Sequence, residues 1–263
     1  MEVRLGSVAR HGVGGSEAAA ISLIYEFLLT EYNQNFYRRI GINQIGEELN
    51  EIIIKEPGNK IHVNVRYITP DNFQKKDKNE KNTIRLEIIH QALLKIATFD
   101  NKLEKVVLEK IRQIIIKKNF SFQFTCKTYR GKQNSNNLAL VSIVPEMNVF
   151  YFYATILKSN KEVCKTLIFS GNPTIYYFKY FFKFGKWMNT NEFVISGSLN
   201  EVNTVIRYDQ CIVTIVNLTT YPLPPFYTLM SFNSTNEEKR KAYDDWHHSI
   251  PPEMASVIRQ ADN

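Results

Sequence analysis

Residues 174–187 interleave aromatic rings with lysines, and this pattern points more directly to binding than any other in the sequence. Side chains alternate between two faces of a β-strand, so one face of this stretch is wholly aromatic and predicts a core stripe. The other face holds Tyr177, Lys179, Phe181 and Lys183. Rings stack on bases and ammonium groups meet phosphates or carboxylates, which suits single-stranded nucleic acid or a protein partner. The same residues also suit an ordinary surface strand, because lysine on an exposed strand prevents edge-to-edge aggregation.

Positive charge is concentrated in the same part of the chain. The formal net charge is +7, and residues 119–187 contain nine basic and two acidic side chains. The whole excess therefore lies in one segment, which favours an anionic partner. The candidate binding residues are Lys127, Arg130, Lys165, Tyr177, Lys179, Phe181, Lys183 and Lys186.

A second group of functional side chains comes from a predicted strand and the helix that follows it. His62 and Arg66 lie on the polar face of the strand, and Glu87 and His90 are neighbours on the helix because they are three residues apart. A His/Arg/Glu cluster supports general acid–base catalysis if the two elements meet. No nucleophile can be identified, and a surface Glu–His pair beside a solvent-facing strand explains the same residues.

Metal and cofactor sites have little support. Asp244 and His248 are four residues apart on a predicted helix, where they could share a metal ion or form an ordinary surface pair. Cys126, Cys164 and Cys211 are widely spaced and lack a CxxC pair, which predicts three reduced thiols packed as small hydrophobic groups. Motifs for serine nucleophiles, zinc proteases, phosphate loops and dinucleotide binding are missing, so we expect no metal and no cofactor.

The N-terminal half is predicted to be rich in helices. Residues 1–16 are glycine-rich and without periodicity, which predicts a flexible leader. Residues 21–29 fit a strand or a short helix that runs into one. Apolar residues over 42–53 recur at three- and four-residue steps, which predicts a helix that Pro57 and Gly58 end. The other predicted elements are a strand at 60–68 and helices at about 79–98 and 101–118.

The apolar period changes from 3.6 to 2 at Asn119, which predicts a series of strands. Short turns separate several of them, as antiparallel hairpins require. A helix follows at residues 236–250, and Pro251 ends it. The predicted strands cover residues 120–127, 138–144, 149–157, 163–169, 174–184, 192–199 and 204–218.

Together these elements predict an α+β protein. We expect a helix-rich N-terminal half with one or two strands, then a mostly antiparallel sheet of about six to seven strands, closed by a C-terminal helix. Residues 17–263 are expected to form a single domain, and the alternative is a sub-boundary near residue 119 between the helical and β halves.

Three functional hypotheses follow. The first is a non-catalytic protein that binds an acidic protein partner through the basic aromatic sheet at residues 119–187, as an immunity or adaptor protein does. The second is a single-stranded nucleic-acid-binding protein that uses the same face. The third is an enzyme with a site around His62, Arg66, Glu87 and His90. No segment has the length and apolarity of a membrane span, and no cleavable signal peptide can be identified, which predicts a cytoplasmic location.

Overall fold

The computed structural model describes residues 1–6, 18–45, 50–66, 73–131, 136–147, 149–171, 182–189, 191–197, 202–218, 220 and 236–252. These ranges contain four α-helices and three sheets of four strands each. Contacts between residues group the chain into two compact units. The N-terminal unit comprises residues 1–122 and 145–149, and the C-terminal unit comprises residues 123–144 and 150–263.

The N-terminal unit is built on a mixed four-stranded sheet. Its order is β1-β2-β4-β3, in which β2 pairs in parallel with both β1 and β4, while β3 is antiparallel to β4. Parallel neighbours need a crossover connection, and helix α1 supplies it between β1 and β2. The strands are β1 (Val3–Leu5), β2 (Arg39–Ile45), β3 (Ile53–Glu56) and β4 (Lys60–Arg66).

Three helices lie in the same unit as this sheet: α1 (Ala19–Glu31), α2 (Lys78–Asp100) and α3 (Lys105–Lys117). Helix α1 contacts β1 and α2 contacts β4. Alternate residues of β4 are buried, so one face of the sheet packs on the helices and the other is partly exposed. Helix α2 begins at a capping box in which the Asp77 carboxylate accepts from the backbone N–H of Glu80, and it ends at Asn101 in the left-handed conformation.

Several N-terminal predictions need correction. Residues 42–53 do not form a helix: they contribute to β2 and β3, and residues 46–49 lie outside the described ranges. Residues 21–29 are wholly helical. Helix α1 is buried on nearly all sides, so its sequence lacks the clear apolar period that distinguishes a helix from a strand. Val3–Leu5, inside the expected leader, is strand β1, and residues 7–17 are outside the described part of the chain.

The C-terminal unit contains two antiparallel sheets. The first has the order β5-β6-β7-β8 and the second β12-β11-β10-β9. Helix α4 (Asn236–Ser249) belongs to the same unit and buries Trp246. The strands are β5 (Phe124–Arg130), β6 (Asn137–Pro145), β7 (Phe150–Lys158), β8 (Lys161–Gly171), β9 (Phe184–Trp187), β10 (Glu192–Ser196), β11 (Val202–Arg207) and β12 (Ile212–Asn217).

An aromatic core joins these two sheets. Phe193 on β10 lies 5.4 Å from Tyr129 on β5 and 4.8 Å from Trp187 on β9, measured between ring centroids. Phe152 on β7 lies 5.3 Å from Phe182, just before β9. Aromatic pairs at these separations contribute roughly 0.5–1.5 kcal/mol beyond the area they bury. The sheets therefore pack face to face.

The predicted fold class is wrong in both halves. Four strands, rather than one or two, accompany the helices of the N-terminal unit, and the C-terminal strands form two sheets rather than one of six to seven strands. A period of two shows only that alternate side chains are buried. It does not distinguish one wide sheet from two sheets that bury facing surfaces. No helix within the described ranges is long and apolar enough to cross a lipid bilayer.

A disulfide links the two sheets of the C-terminal unit. Cys164 on β8 is bonded to Cys211, which precedes β12, and their Cα atoms are 5.4 Å apart. The prediction of three reduced thiols is therefore wrong for this pair, while Cys126 remains a free thiol. Residues 204–218 are also not one strand. A turn over 208–211, with Cys211 at φ 55°, divides them into β11 and β12.

We expect reduction of this disulfide to lower the free energy of unfolding by about 4 kcal/mol, because the bond closes a loop that the unfolded chain otherwise leaves open. The two cysteines are 47 residues apart in sequence. Urea unfolding with and without a thiol reductant measures the effect. The Cys126→Ser variant is the matched control and should retain the full response to reductant. A wild-type protein equally stable in both conditions contradicts the prediction.

Candidate functional site

His62 and Arg66, two of the catalytic candidates, lie on β4. Ile61 and Val63 point to the helices, so His62 points to the other, partly exposed face of the sheet. Its Nε2 is 3.5 Å from Oε2 of Glu56. The ring packs on the backbone of Gly41 so closely that a Cβ there would come within 2.4 Å of His62 Nδ1.

Arg66 ends β4 and is exposed. Its backbone N–H donates to the Glu51 carboxylate at 2.9 Å, and Lys95 Nζ lies 2.5 Å from the other oxygen of that carboxylate. These hydrogen bonds, with that from Lys95 the stronger, lower the pKa of Glu51. The backbone of Arg66 thus helps to hold the end of the strand in place.

His90, the third candidate, is buried on α2, on the helical side of the sheet. Its Nδ1 is 2.9 Å from the hydroxyl of Tyr25 on α1, and its Nε2 is 2.9 Å from Oε1 of Glu109 on α3. An imidazole protonated on Nε2 donates to Glu109 and accepts from Tyr25. Both ring nitrogens are therefore occupied, and the three helices are joined at one side chain.

Glu87, the last candidate, joins the same network through an arginine. Arg112 on α3 lies 2.6 Å from Oε1 of Glu87 and 4.0 Å from Oε2 of Glu109. The hydrogen bond from His90 lowers the pKa of Glu109, and burial raises the pKa of Tyr25 far above its ordinary value. The structure thus brings Glu87 and His90 together between the helices, and it places His62 on the opposite face of the sheet.

We predict that Glu109 makes stability depend on pH in the acid range. A carboxylate whose pKa is lower in the folded state stabilises the protein above its unfolded pKa of about 4.3, and this contribution is lost as the pH falls through the folded pKa. Glu109→Gln should therefore reduce the loss of stability between neutral and acid pH, measured by urea unfolding. Glu162→Gln, which removes an exposed carboxylate on β8, is the control. Identical pH profiles for wild type and Glu109→Gln argue against the assignment.

The basic binding candidates that the structure describes lie at two places, Lys165 on β8 and the others on or beside strands β5 and β9. Lys165 lies on β8, on the face of its sheet that points away from the aromatic core. Its Nζ donates to Oε1 of Gln123 at 3.0 Å and lies 5.6 Å from the centroid of the Tyr153 ring. Tyr177, Lys179 and Phe181 lie outside the described residues.

Tyr129 connects the two edge strands on or beside which the remaining candidates lie. Its hydroxyl donates to the backbone carbonyl of Phe182 at 2.5 Å, and its ring lies against Gly185 on β9. A Cβ at position 185 would come within 2.3 Å of Tyr129 Cδ1, so only glycine permits this approach. Edge strand β5 of one sheet therefore lies beside edge strand β9 of the other. We call this region the basic corner, and its exposed cations are Lys127, Arg130, Lys183 and Lys186.

The cations of the basic corner form no ion pair with any carboxylate in the described part of the chain. Lys183 lies 5.2 Å from the centroid of the Phe184 ring, and Lys127 lies 5.9 Å from that of Tyr129. Phe184 is 52% exposed and therefore accessible to a partner. An ammonium group held over a ring keeps its charge and remains available to an anion.

Several other cations of the protein form ion pairs. In the N-terminal unit, Lys78 Nζ is 2.7 Å from Oε2 of Glu146, and Lys55 Nζ is 3.2 Å from Oδ2 of Asp100. Arg207 of the C-terminal unit pairs with Glu192 at 3.1 Å. These ion pairs neutralise part of the positive charge within each unit.

The metal candidate on α4 does not form a cluster. Nδ1 of His248 is 2.6 Å from the backbone carbonyl oxygen of Asp244 rather than from its carboxylate. Among the residues whose placement is described, no three His, Cys, Asp or Glu side chains gather where they could hold a metal ion.

The sequence pattern does not predict the contact between Tyr129 and Gly185, because nothing local shows that these two residues meet across two sheets.

The fold and the basic corner define a class: a two-unit protein with a helix-covered mixed sheet and a pair of facing antiparallel sheets. No protein-family model, curated protein or solved structure matches the chain.

Proposed function

We propose that this protein is a non-catalytic binding protein whose C-terminal unit engages an acidic protein partner through the basic corner. The proposal rests on one observation. The exposed cations on β5, in β9 and just before β9 have no carboxylate partner among the described residues. An immunity or adaptor role is the specific form of this proposal, because such proteins act by occupying or recruiting another protein.

Electrostatics supports this assignment. Like charges on adjacent edge strands repel one another, and a complementary anionic surface removes that repulsion as it binds. Such a field also steers encounter, and it weakens as salt shortens the Debye length to about 8 Å at physiological ionic strength. The exposed ring of Phe184 adds apolar contact area next to the charge of Lys183, and aromatic side chains are enriched at protein interfaces.

The aromatic content of the corner favours a protein over single-stranded nucleic acid. Stacking platforms present successive exposed rings to successive bases. Tyr129 is buried against Phe193 and cannot receive a base, which leaves Phe184 as the exposed ring of the described corner. The nucleic-acid alternative depends on Tyr177 and Phe181, which lie outside the described residues.

Charge reversal tests the proposal. Lys127→Glu combined with Lys186→Glu should weaken binding of a fluorescent polyglutamate peptide by roughly tenfold or more, because attraction at about 1 kcal/mol per close contact becomes repulsion. Fluorescence anisotropy at low and near-physiological salt measures the effect. Oligothymidylate of matched charge is the second probe, and tighter binding to it would select the nucleic-acid alternative.

The control for this experiment is Lys161→Glu. Lys161 is an exposed lysine at the start of β8, the opposite edge of its sheet from β5. It changes the net charge of the protein without touching the basic corner. A loss of affinity per reversed charge equal to that of the double variant would mean that net charge alone drives binding, and the proposal fails. It also fails if neither probe binds at low salt.

A catalytic site that combines His62 with His90 has no geometric support, because the two histidines lie on opposite faces of the N-terminal sheet. A cytoplasmic location stays a prediction, and the Cys164–Cys211 disulfide counts against it. Disulfides persist in oxidising compartments and are rare in the cytosol.

A further inference from the structure

The edge strands of the three sheets differ in how they are protected. An edge strand exposes unpaired backbone N–H and C=O groups, and natural proteins prevent unwanted pairing with lysine, bulges or very short strands. Five of the six described edges carry such a charge: Arg4 on β1, Lys55 on β3, Lys127 on β5, Lys161 on β8 and Lys186 on β9. Strand β5 also carries a bulge between Thr125 and Lys127.

Strand β12 is the exception among the described edges. It is six residues long, contains no charged side chain and no proline, and consists mainly of β-branched residues. It pairs with β11 on one side, and no described strand pairs with its other side. Ile212 and Val216 lie on its outward face with 48% and 38% exposure, and Leu218 just beyond its end is 47% exposed. This composition is typical of a strand that pairs with another strand.

We infer that β12 is a self-association site at which two copies of this chain join through antiparallel pairing of their β12 strands. Antiparallel pairing of identical strands has two-fold symmetry, so the same surface serves both copies and the assembly closes as a dimer. Two four-stranded sheets then become one sheet of eight strands. Pairing centred on Thr214 would place Ile212 of each copy beside Val216 of the other.

The charge distribution selects a second copy as the occupant. Two copies of a protein with a net charge of +7 repel unless their excess charge is kept apart. Strand β12 lies at the opposite edge of its sheet from β9, whose end of the sheet forms part of the basic corner. A dimer through β12 therefore brings uncharged edges together and leaves the two basic corners at the far ends of the joined sheet.

Sedimentation velocity of the whole chain over a wide range of concentration tests this inference. We expect wild type to move from a 30.6 kDa monomer to a species of twice that mass, without larger assemblies. Val216→Lys should raise the dimer dissociation constant by about tenfold or more, because it replaces the apolar partner of Ile212 in the other copy with a charged side chain of the kind that protects the other described edges. Val106→Lys, at an 81% exposed position on α3, makes the same change elsewhere and should leave the dimer intact.

Amide hydrogen exchange provides a second measurement that does not depend on a variant. Protection of β12 amides should increase with protein concentration, whereas protection of β9 should not. A monomer at every concentration, a Val216→Lys variant that dimerises like wild type, or β12 protection independent of concentration would each overturn the inference.

Discussion

The contact of Tyr129 with Gly185 is the constraint on which the C-terminal unit depends. The ring fits only because position 185 has no side chain, and its hydroxyl uses the carbonyl of Phe182 so that burial leaves no polar group unpaired. This contact sets edge strand β5 beside edge strand β9. The location of the basic corner follows from it, since the cations concerned flank these two residues in the chain.

Both units combine ion pairs with cations that lie over aromatic rings. In the N-terminal unit, carboxylates meet lysines and arginines, and Glu109 and Arg112 connect with a buried histidine between three helices. In the C-terminal unit, cations near β5 and β9 lie over aromatic rings instead of beside carboxylates. Ion pairs within a unit satisfy its own charges, whereas ring contacts leave the charge available to a partner.

The His90 network shows why a histidine beside a carboxylate is weak support for catalysis. The i,i+3 spacing of Glu87 and His90 correctly indicated neighbours on one helix, and both proved to contact α3. Each ring nitrogen of His90 already has a partner, and the imidazole is buried. The ring nitrogens that acid–base catalysis would require instead form hydrogen bonds that join the three helices.

Composition and local period are properties of contiguous residues. They therefore predict the segregation of positive charge, helices α2, α3 and α4, strand β4 and most strands of the C-terminal half. Long-range packing makes β2 and β3 strands, separates β11 from β12, and brings Cys164 to Cys211. Tertiary burial overrode local pattern in these segments. The basic corner belongs to the same category, since Tyr129 and Gly185 are distant in sequence and meet only when two sheets pack.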